Sequence, residues 1–160
     1  DILYSGTIGA AMEGALNGIK AIALSQQYSK KTYSSDNPFK CAVKYGKEIC
    51  NKIINNDPFS SLKFKGFYNI NFPSCTPKEV KGFKICAAGK RKKPTFEMVA
   101  QSITKERNFL WVKHNFQNSK PSINFDEYYL SKNYVTISAL KTDLNWEEKN
   151  KELKKKIIDK

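Results

Sequence analysis

The residues best suited to chemistry stand near the start of the chain, where two hydroxyl side chains flank a glycine. Ser5, Gly6 and Thr7 run directly into a segment of small residues with helical spacing. The first backbone N–H groups of a helix lack partners within the helix, and the helix dipole favours negative charge there. The tripeptide therefore predicts either an ordinary helix cap, which is the commoner use of such a serine, or a site for an oxyanion such as phosphate.

Other candidate catalytic groups are scarce. The tripeptide lacks the glycine spacing of a dinucleotide-binding loop and the lysine of a P-loop. Glu13 could be a ligand by its position in the same helix, although a glutamate facing solvent is the commoner reading. His114 is the single histidine of the chain and is expected to be an ordinary surface or core residue. No pair of carboxylates stands at an obvious strand end, so no catalytic residue is assigned.

The four cysteines, Cys41, Cys50, Cys75 and Cys86, contain no C-x-x-C pair. With one histidine in the chain, this spacing does not favour a structural zinc site. The pattern predicts free, mostly buried thiols in a reducing compartment. No apolar run is long enough to cross a membrane and no leader peptide is evident, so a cytoplasmic protein without a membrane partner is expected.

The chain has 160 residues and a formal net charge of +13, which permits attraction to nucleic acid, anionic lipid or phosphorylated small molecules. Its lysines are scattered among acidic residues. The cluster of basic residues at 90–93 is typical of a solvated loop. The cluster at 154–156 lies at the predicted C-terminal end of a helix, where the helix dipole favours positive charge. A nucleic-acid-binding module is therefore the less favoured alternative.

The elements that must position these groups alternate between helix and strand. A helix from 6 to about 17, closed by Gly18, precedes an apolar run at 21–25 that is typical of a strand buried on both faces. Asp36-Asn37-Pro38 predicts the start of a second helix. Strands are expected at 67–72 and 80–87. The apolar stripe predicted for the second helix comprises Phe39, Val43, Gly46, Cys50 and Ile53, widened by Ile49 and Ile54.

The second half of the chain has a different character. Two β-prone aromatic runs, at 96–99 and 109–112, predict a long hairpin, and such a hairpin is expected to dock on the domain or on another subunit. A short helix at 126–132, a strand at 134–140 and a charged terminal helix at 146–158 complete the pattern. The sparse apolar stripe of that last helix is typical of one that lies across a neighbour.

Residues 4–14, Tyr-Ser-Gly-Thr-Ile-Gly-Ala-Ala-Met-Glu-Gly, closely resemble the signature of the SurE family, the stationary-phase survival nucleotidases. The match continues at 21–25, at 69–73 (Asn-Ile-Asn-Phe-Pro) and at 79–85, and 134–140 is similar to the last strand of the family. The resemblance implies an α/β fold, a Rossmann-like three-layer sandwich with a parallel sheet. It also implies a projecting β-hairpin and a C-terminal helix used in assembly as a homodimer or homotetramer.

The resemblance further implies a phosphatase of nucleoside monophosphates that depends on a divalent metal, Mg²⁺ or Mn²⁺. Ser5, Gly6 and Thr7 would bind the substrate phosphate. The family holds its metal through an Asn-Asp-Asp-Gly turn, a serine and an asparagine, and matching residues are expected upstream of Asp1. Negligible phosphatase activity is therefore expected of the chain alone. The alternative is a non-catalytic assembly or binding subunit, or an inactive fragment of such an enzyme.

The expected organisation is one incomplete SurE-like domain over residues 1–160. Its core would comprise 1–90 and 123–145, with the hairpin arm at about 91–122 and the terminal helix at 146–158.

Overall fold

The computed structural model describes residues 2–27, 29, 37–56, 66–90, 96–104, 107–114 and 121–158, with the backbone alone for 102–104, 107, 108 and 114. A 3₁₀ turn at Ile2–Tyr4 precedes the first helix, and another follows β2 at Pro77–Glu79. The helices are α1 (Gly6–Leu16), α2 (Lys40–Asn56), α3 (Asp126–Leu130) and α4 (Glu147–Ile157). The strands are β1 (Ile22–Gln26), β2 (Gly66–Phe72), β3 (Phe83–Ile85), β4 (Phe96–Thr104), β5 (Arg107–His114) and β6 (Val135–Lys141).

The main sheet has the strand order β1-β2-β6-β3. β1 pairs parallel to β2, and β6 pairs antiparallel to β2 and parallel to β3. β1, α2 and β2 therefore form a parallel βαβ unit. The expected parallel sheet is therefore wrong for β6 and β3, because both strands run antiparallel to β1 and β2.

The sheet is covered on both faces, and this confirms the predicted α/β class. Successive residues of a strand point to opposite faces, so Phe67 packs under α1 whereas Ile70 and Phe72 pack under α2. The first core cluster comprises Ile8, Ala11, Ala15, Ala23 and Phe67. The second comprises Cys41, Ile49, Ile70, Phe72 and Val135. The result is a three-layer, Rossmann-like arrangement.

The end of α1 follows the prediction. Gly18 adopts a positive φ of 77°, a conformation that glycine reaches without steric cost. The N–H of Gly18 donates to the carbonyl of Ala15 at 3.0 Å, and that of Ile19 donates to Gly14 at 2.9 Å. These bonds satisfy carbonyls that the helix itself leaves free.

Three local predictions are wrong in detail. The predicted stripe of α2 is correct at Gly46 and Ile49, which are buried, but it omits the buried Cys41 and includes Val43, which is 70% exposed. Leu24 was expected to be buried in a strand covered on both faces, but it is 42% exposed. β1 is an edge strand, and no described strand pairs with its free edge. The strand expected at 80–87 shrinks to β3, since Gly82 turns the chain with a φ of 127°.

The predicted hairpin is present as the antiparallel pair of β4 and β5. At its base, the Phe96 ring meets the Tyr4 ring edge-on, with centroids 5.2 Å apart. Apolar side chains of both strands remain exposed, among them Met98, Leu110 and Trp111. α4 is also largely exposed, and no helix in the described ranges has the length and apolar character needed to cross a bilayer.

Candidate phosphate-binding site

Ser5 sets the start of α1. Its backbone is extended, with φ −88° and ψ 116°, which is the conformation of an N-cap residue. The Ser5 hydroxyl accepts the N–H of Ile8 at 3.2 Å, and its carbonyl accepts the N–H of Gly9 at 2.9 Å. The predicted capping role of Ser5 is confirmed.

The next two backbone N–H groups, those of Gly6 and Thr7, do not take part in these bonds. Within the described part of the chain, no group accepts a hydrogen bond from the backbone N–H of Gly6 or Thr7. Both residues are exposed. A Cβ built on Gly6 would meet no atom within 4 Å, so open space lies beside the helix start. Two exposed N–H donors at the positive end of a helix dipole form a surface that an oxyanion can approach.

The start of α1 lies near the carboxyl ends of the two parallel strands. A Cβ built on Gly14, in the last turn of α1, would lie 3.6 Å from the Cβ of Ala21, just before β1. The C-terminal end of α1 is therefore next to the beginning of β1, and α1 runs antiparallel to it. The N-terminal end of α1 consequently lies near the carboxyl ends of β1 and β2, where open α/β sheets bind their ligands.

A polar row occupies the sheet face that α1 covers. In the register of β2 and β6, Asn69 is opposite Ser138 and Asn71 is opposite Thr136. Thr136 and Ser138 are buried; within the described structure the Thr136 hydroxyl has no hydrogen-bond partner, whereas the Ser138 hydroxyl lies beside the Cys86 thiol. A buried hydroxyl without a partner is unfavourable. The period-two alternation Asn-x-Asn and Thr-x-Ser is a signal that sequence reasoning could have used to find this row.

The structure separates the other candidate residues from this surface. The Asn17 side-chain amide donates to both the carboxylate and the carbonyl of Glu13, each at 2.9 Å. Glu13 is exposed. It lies seven residues after Gly6, which places it about 10 Å along the helix from its start. His114 is the last residue of β5, and its side chain lies outside the described structure.

The described residues do not fit a resident divalent metal ion. Among them, no group of three or more His, Cys, Asp or Glu side chains could hold one. At the start of α1, Ser5 and Thr7 contribute neutral hydroxyl oxygens, whereas protein sites for Mg²⁺ usually include one or two carboxylates. All four cysteines are free thiols; Cys41 is buried and the other three are partly buried.

The fold and the site together define a class: a three-layer α/β protein with unpartnered helix N–H groups near the carboxyl ends of its parallel strands. The comparisons with known proteins narrow this class. The family model of Survival protein SurE matches residues 1–95. Since this is more than half of the chain, the protein belongs to the SurE family, and the resemblance noted in the sequence is confirmed.

Individual relatives agree with the family model. The chain is 40% identical over 157 residues to the 5'-nucleotidase SurE of Campylobacter jejuni subsp. doylei, covering 97% of this chain and 57% of that protein. It is 34% identical over 142 residues to the 5'-nucleotidase SurE of Roseobacter denitrificans, covering 89% of this chain and 54% of the relative. The chain spans little more than half the length of these relatives.

A solved structure shares the fold. The SurE protein from Aquifex aeolicus superposes with a TM-score of 0.74 and 26% sequence identity. The match covers 97% of this chain and 58% of the other.

Proposed function

We propose that this chain supplies the phosphate-binding part of a nucleotidase, a hydrolase that removes phosphate from nucleoside monophosphates. The observation that carries the proposal is the pair of unpartnered, exposed N–H groups of Gly6 and Thr7 at the start of α1. They fall within the segment that matches the SurE family model. The relatives named above as 5'-nucleotidases support the reaction class.

Each residue of the tripeptide has a separate role in this proposal. Ser5 holds the first turn in place through its bond to Ile8. The N–H groups of Gly6 and Thr7 donate to the phosphate oxygens. Donors fixed in place before the substrate arrives stabilise the charge that develops on those oxygens without further reorganisation.

The sharpest test removes one N–H and leaves the helix intact. Proline is favoured at the first helical position, which Gly6 occupies, and it requires an extended residue before it. Ser5 already has that conformation. Gly6→Pro therefore deletes the Gly6 donor, whereas the matched control Gly6→Ala keeps it and fits the open space there.

We expect inorganic phosphate and adenosine monophosphate to bind the wild-type protein and Gly6→Ala, and to bind Gly6→Pro several-fold more weakly. Binding is measured by calorimetry, and circular dichroism checks that both variants retain the helix. Equal affinities for the proline and alanine variants would show that the Gly6 N–H does not contact phosphate.

A divalent metal, Mg²⁺ or Mn²⁺, belongs to the proposal at the level of the complete enzyme. Such an ion polarises phosphoryl oxygens and lowers the pKa of bound water. The described residues lack a fitting set of ligands, so we assign no metal-dependent step to them. We place the ligands in the part of the relatives that this chain does not cover. Negligible turnover by this chain with Mg²⁺ or Mn²⁺ is expected, and robust hydrolysis of adenosine monophosphate would contradict that placement.

Assembly into a homodimer or homotetramer through the hairpin and α4 is the second part of the proposal. Leu110, Trp111 and Val112 on β5 are each 60% exposed or more, as is Trp146 beside α4. Exposed apolar surface of this kind marks interfaces in soluble proteins. Light scattering is expected to show an oligomer that Leu110→Lys weakens. As a control, Val43→Lys changes an equally exposed apolar residue on α2 and should leave the oligomer unchanged.

A further inference from the structure

Two cysteines from distant parts of the sequence meet in the second core cluster. Cys41 lies in the first turn of α2, and Cys75 lies in the loop that follows β2. The Cys41 thiol donates to the backbone carbonyl of Cys75 at 3.0 Å. Cys41 is buried and Cys75 is partly buried, and both belong to the apolar cluster between α2 and the sheet.

The backbone around this pair is fixed on both sides. The Gln26 side chain at the end of β1 donates to the carbonyl of Pro73 at 2.7 Å and accepts the N–H of Ala42 at 3.1 Å. The Tyr45 hydroxyl donates to the carbonyl of Pro77 at 2.8 Å. The loop and the helix are thus joined immediately beside both cysteines, which keeps the two side chains close together.

The other two cysteines cannot join this pair. Cys50 lies nine residues after Cys41 on α2, which places it about 13 Å along the helix and half a turn around it. Cys86 follows β3 on the other side of the sheet, since Ile85 points to the α2 face and strand residues alternate. The fold therefore offers a single close pair among its four thiols.

We propose that Cys41 and Cys75 form an intrachain disulfide when the protein meets a mild thiol oxidant. In the reaction two S–H bonds break and one S–S bond forms. The two protons and two electrons pass to the oxidant, for example the azo bond of diamide, which becomes a hydrazine. The disulfide would tie the first turn of α2 to the loop at the carboxyl end of β2. This inference does not depend on the proposed nucleotidase function.

The local environment sets the conditions under which the bond forms. Burial raises the pKa of both thiols, and the neighbouring Cys41 contributes to raising the pKa of Cys75 to about 12. The thiolate is the reactive form. Oxidation should therefore be slow at neutral pH and faster as the pH rises towards 9.

Peptide mapping of the oxidised protein tests the proposal. Trypsin places each cysteine in its own fragment: Cys41 in 41–44, Cys50 in 48–52, Cys75 in 66–78 and Cys86 in 85–90. After treatment with diamide, trapping of residual thiols and digestion without reductant, we expect fragment 41–44 linked to 66–78 as the main intrachain product. A map dominated by links to 48–52 or 85–90, or one in which Cys41 and Cys75 remain free, would overturn the proposal.

Two variants and a second measurement complete the test. Cys75→Ser should abolish the linked fragment, and Cys86→Ser should leave it unchanged. In the wild-type protein, oxidation should raise the thermal unfolding midpoint, because a cross-link restricts the unfolded chain, and dithiothreitol should reverse the increase. Since the peptide map of the wild-type protein is decisive by itself, poor folding of either variant would not affect the conclusion.

Discussion

The Ser5 hydroxyl accepts the backbone N–H of Ile8 at 3.2 Å, and this single bond fixes the residue at which α1 begins. Ser5 satisfies the N–H groups of Ile8 and Gly9, and those of Gly6 and Thr7 have no acceptor among the described residues. The cap and the proposed phosphate site are therefore complementary uses of one helix start. The sequence alone presented them as alternatives.

The cap has a measurable effect on stability. Ser5→Ala should lower the free energy of unfolding by about 1 kcal/mol, whereas Ser5→Gly should lower it by only a few tenths. Urea denaturation measures both. Equal losses for alanine and glycine would show that the Ser5 side chain does not cap α1 in solution.

The sheet offers a matched pair of isoleucines on its α2 face. Ile70 is fully buried in β2, while Ile85 in β3 is 86% exposed. Ile70→Ala should cost about 2–5 kcal/mol of unfolding free energy, because it removes buried methyl groups and leaves a cavity. Ile85→Ala should change the same quantity by less than about 0.5 kcal/mol. A large loss at Ile85 would place it in an interface, which light scattering at several concentrations would detect.

A substitution of Thr136, whose hydroxyl is buried on the α1 face, should instead increase stability. Thr136→Val keeps the shape of the side chain and removes a buried oxygen that has no partner within the described structure. We expect the free energy of unfolding to rise by about 1 kcal/mol. Ser131→Ala is the control, because the Ser131 hydroxyl donates to the Tyr128 carbonyl at 2.7 Å and its removal should not stabilise. Destabilisation by Thr136→Val would instead reveal a bound water or another partner at this position.

Stability should also depend on alkaline pH through Cys75. Burial, together with Cys41, raises its pKa from 9.0 to about 12 in the folded protein. The unfolded chain therefore releases the thiol proton first, and the stabilising effect, complete below pH 9, is lost as the pH rises towards 12. Unfolding free energies measured across this range should fall less steeply for Cys75→Ser than for the wild type. Identical slopes would contradict the raised pKa.

Features of the fold that depend on neighbouring residues were predictable from the sequence. Ser5 and Gly18 mark the ends of α1, the aromatic runs mark the hairpin, and the charge pattern marks α4. The family was evident from residues 4–14, and the family model and the shared fold confirm it. In each case the signal is local, because caps, turns and short-range periodicity act within a few residues.

Features that depend on distant contacts were predicted less well. The predicted stripe of α2 included the buried Gly46 and Ile49 but missed Cys41 and wrongly included Val43, which is exposed. The apolar residues of this helix cover a wide arc, so periodicity did not show that Val43, near the edge of that arc, lies outside the part that contacts the sheet. The direction of β6 was likewise undetermined, since the pattern of a strand is the same in parallel and antiparallel pairs.

By itself, the sequence determined the family, the α/β class and the helix start at Ser5, because these depend on residues adjacent in the chain. Only the tertiary structure decided which residues from distant parts of the sequence lie close together. It left the N–H groups of Gly6 and Thr7 without described partners, placed Thr136 opposite Asn71 and brought Cys41 against Cys75. The physical reason is that pairing register and helix packing are set by the burial of whole faces, a property of the assembled sheet that no local segment carries.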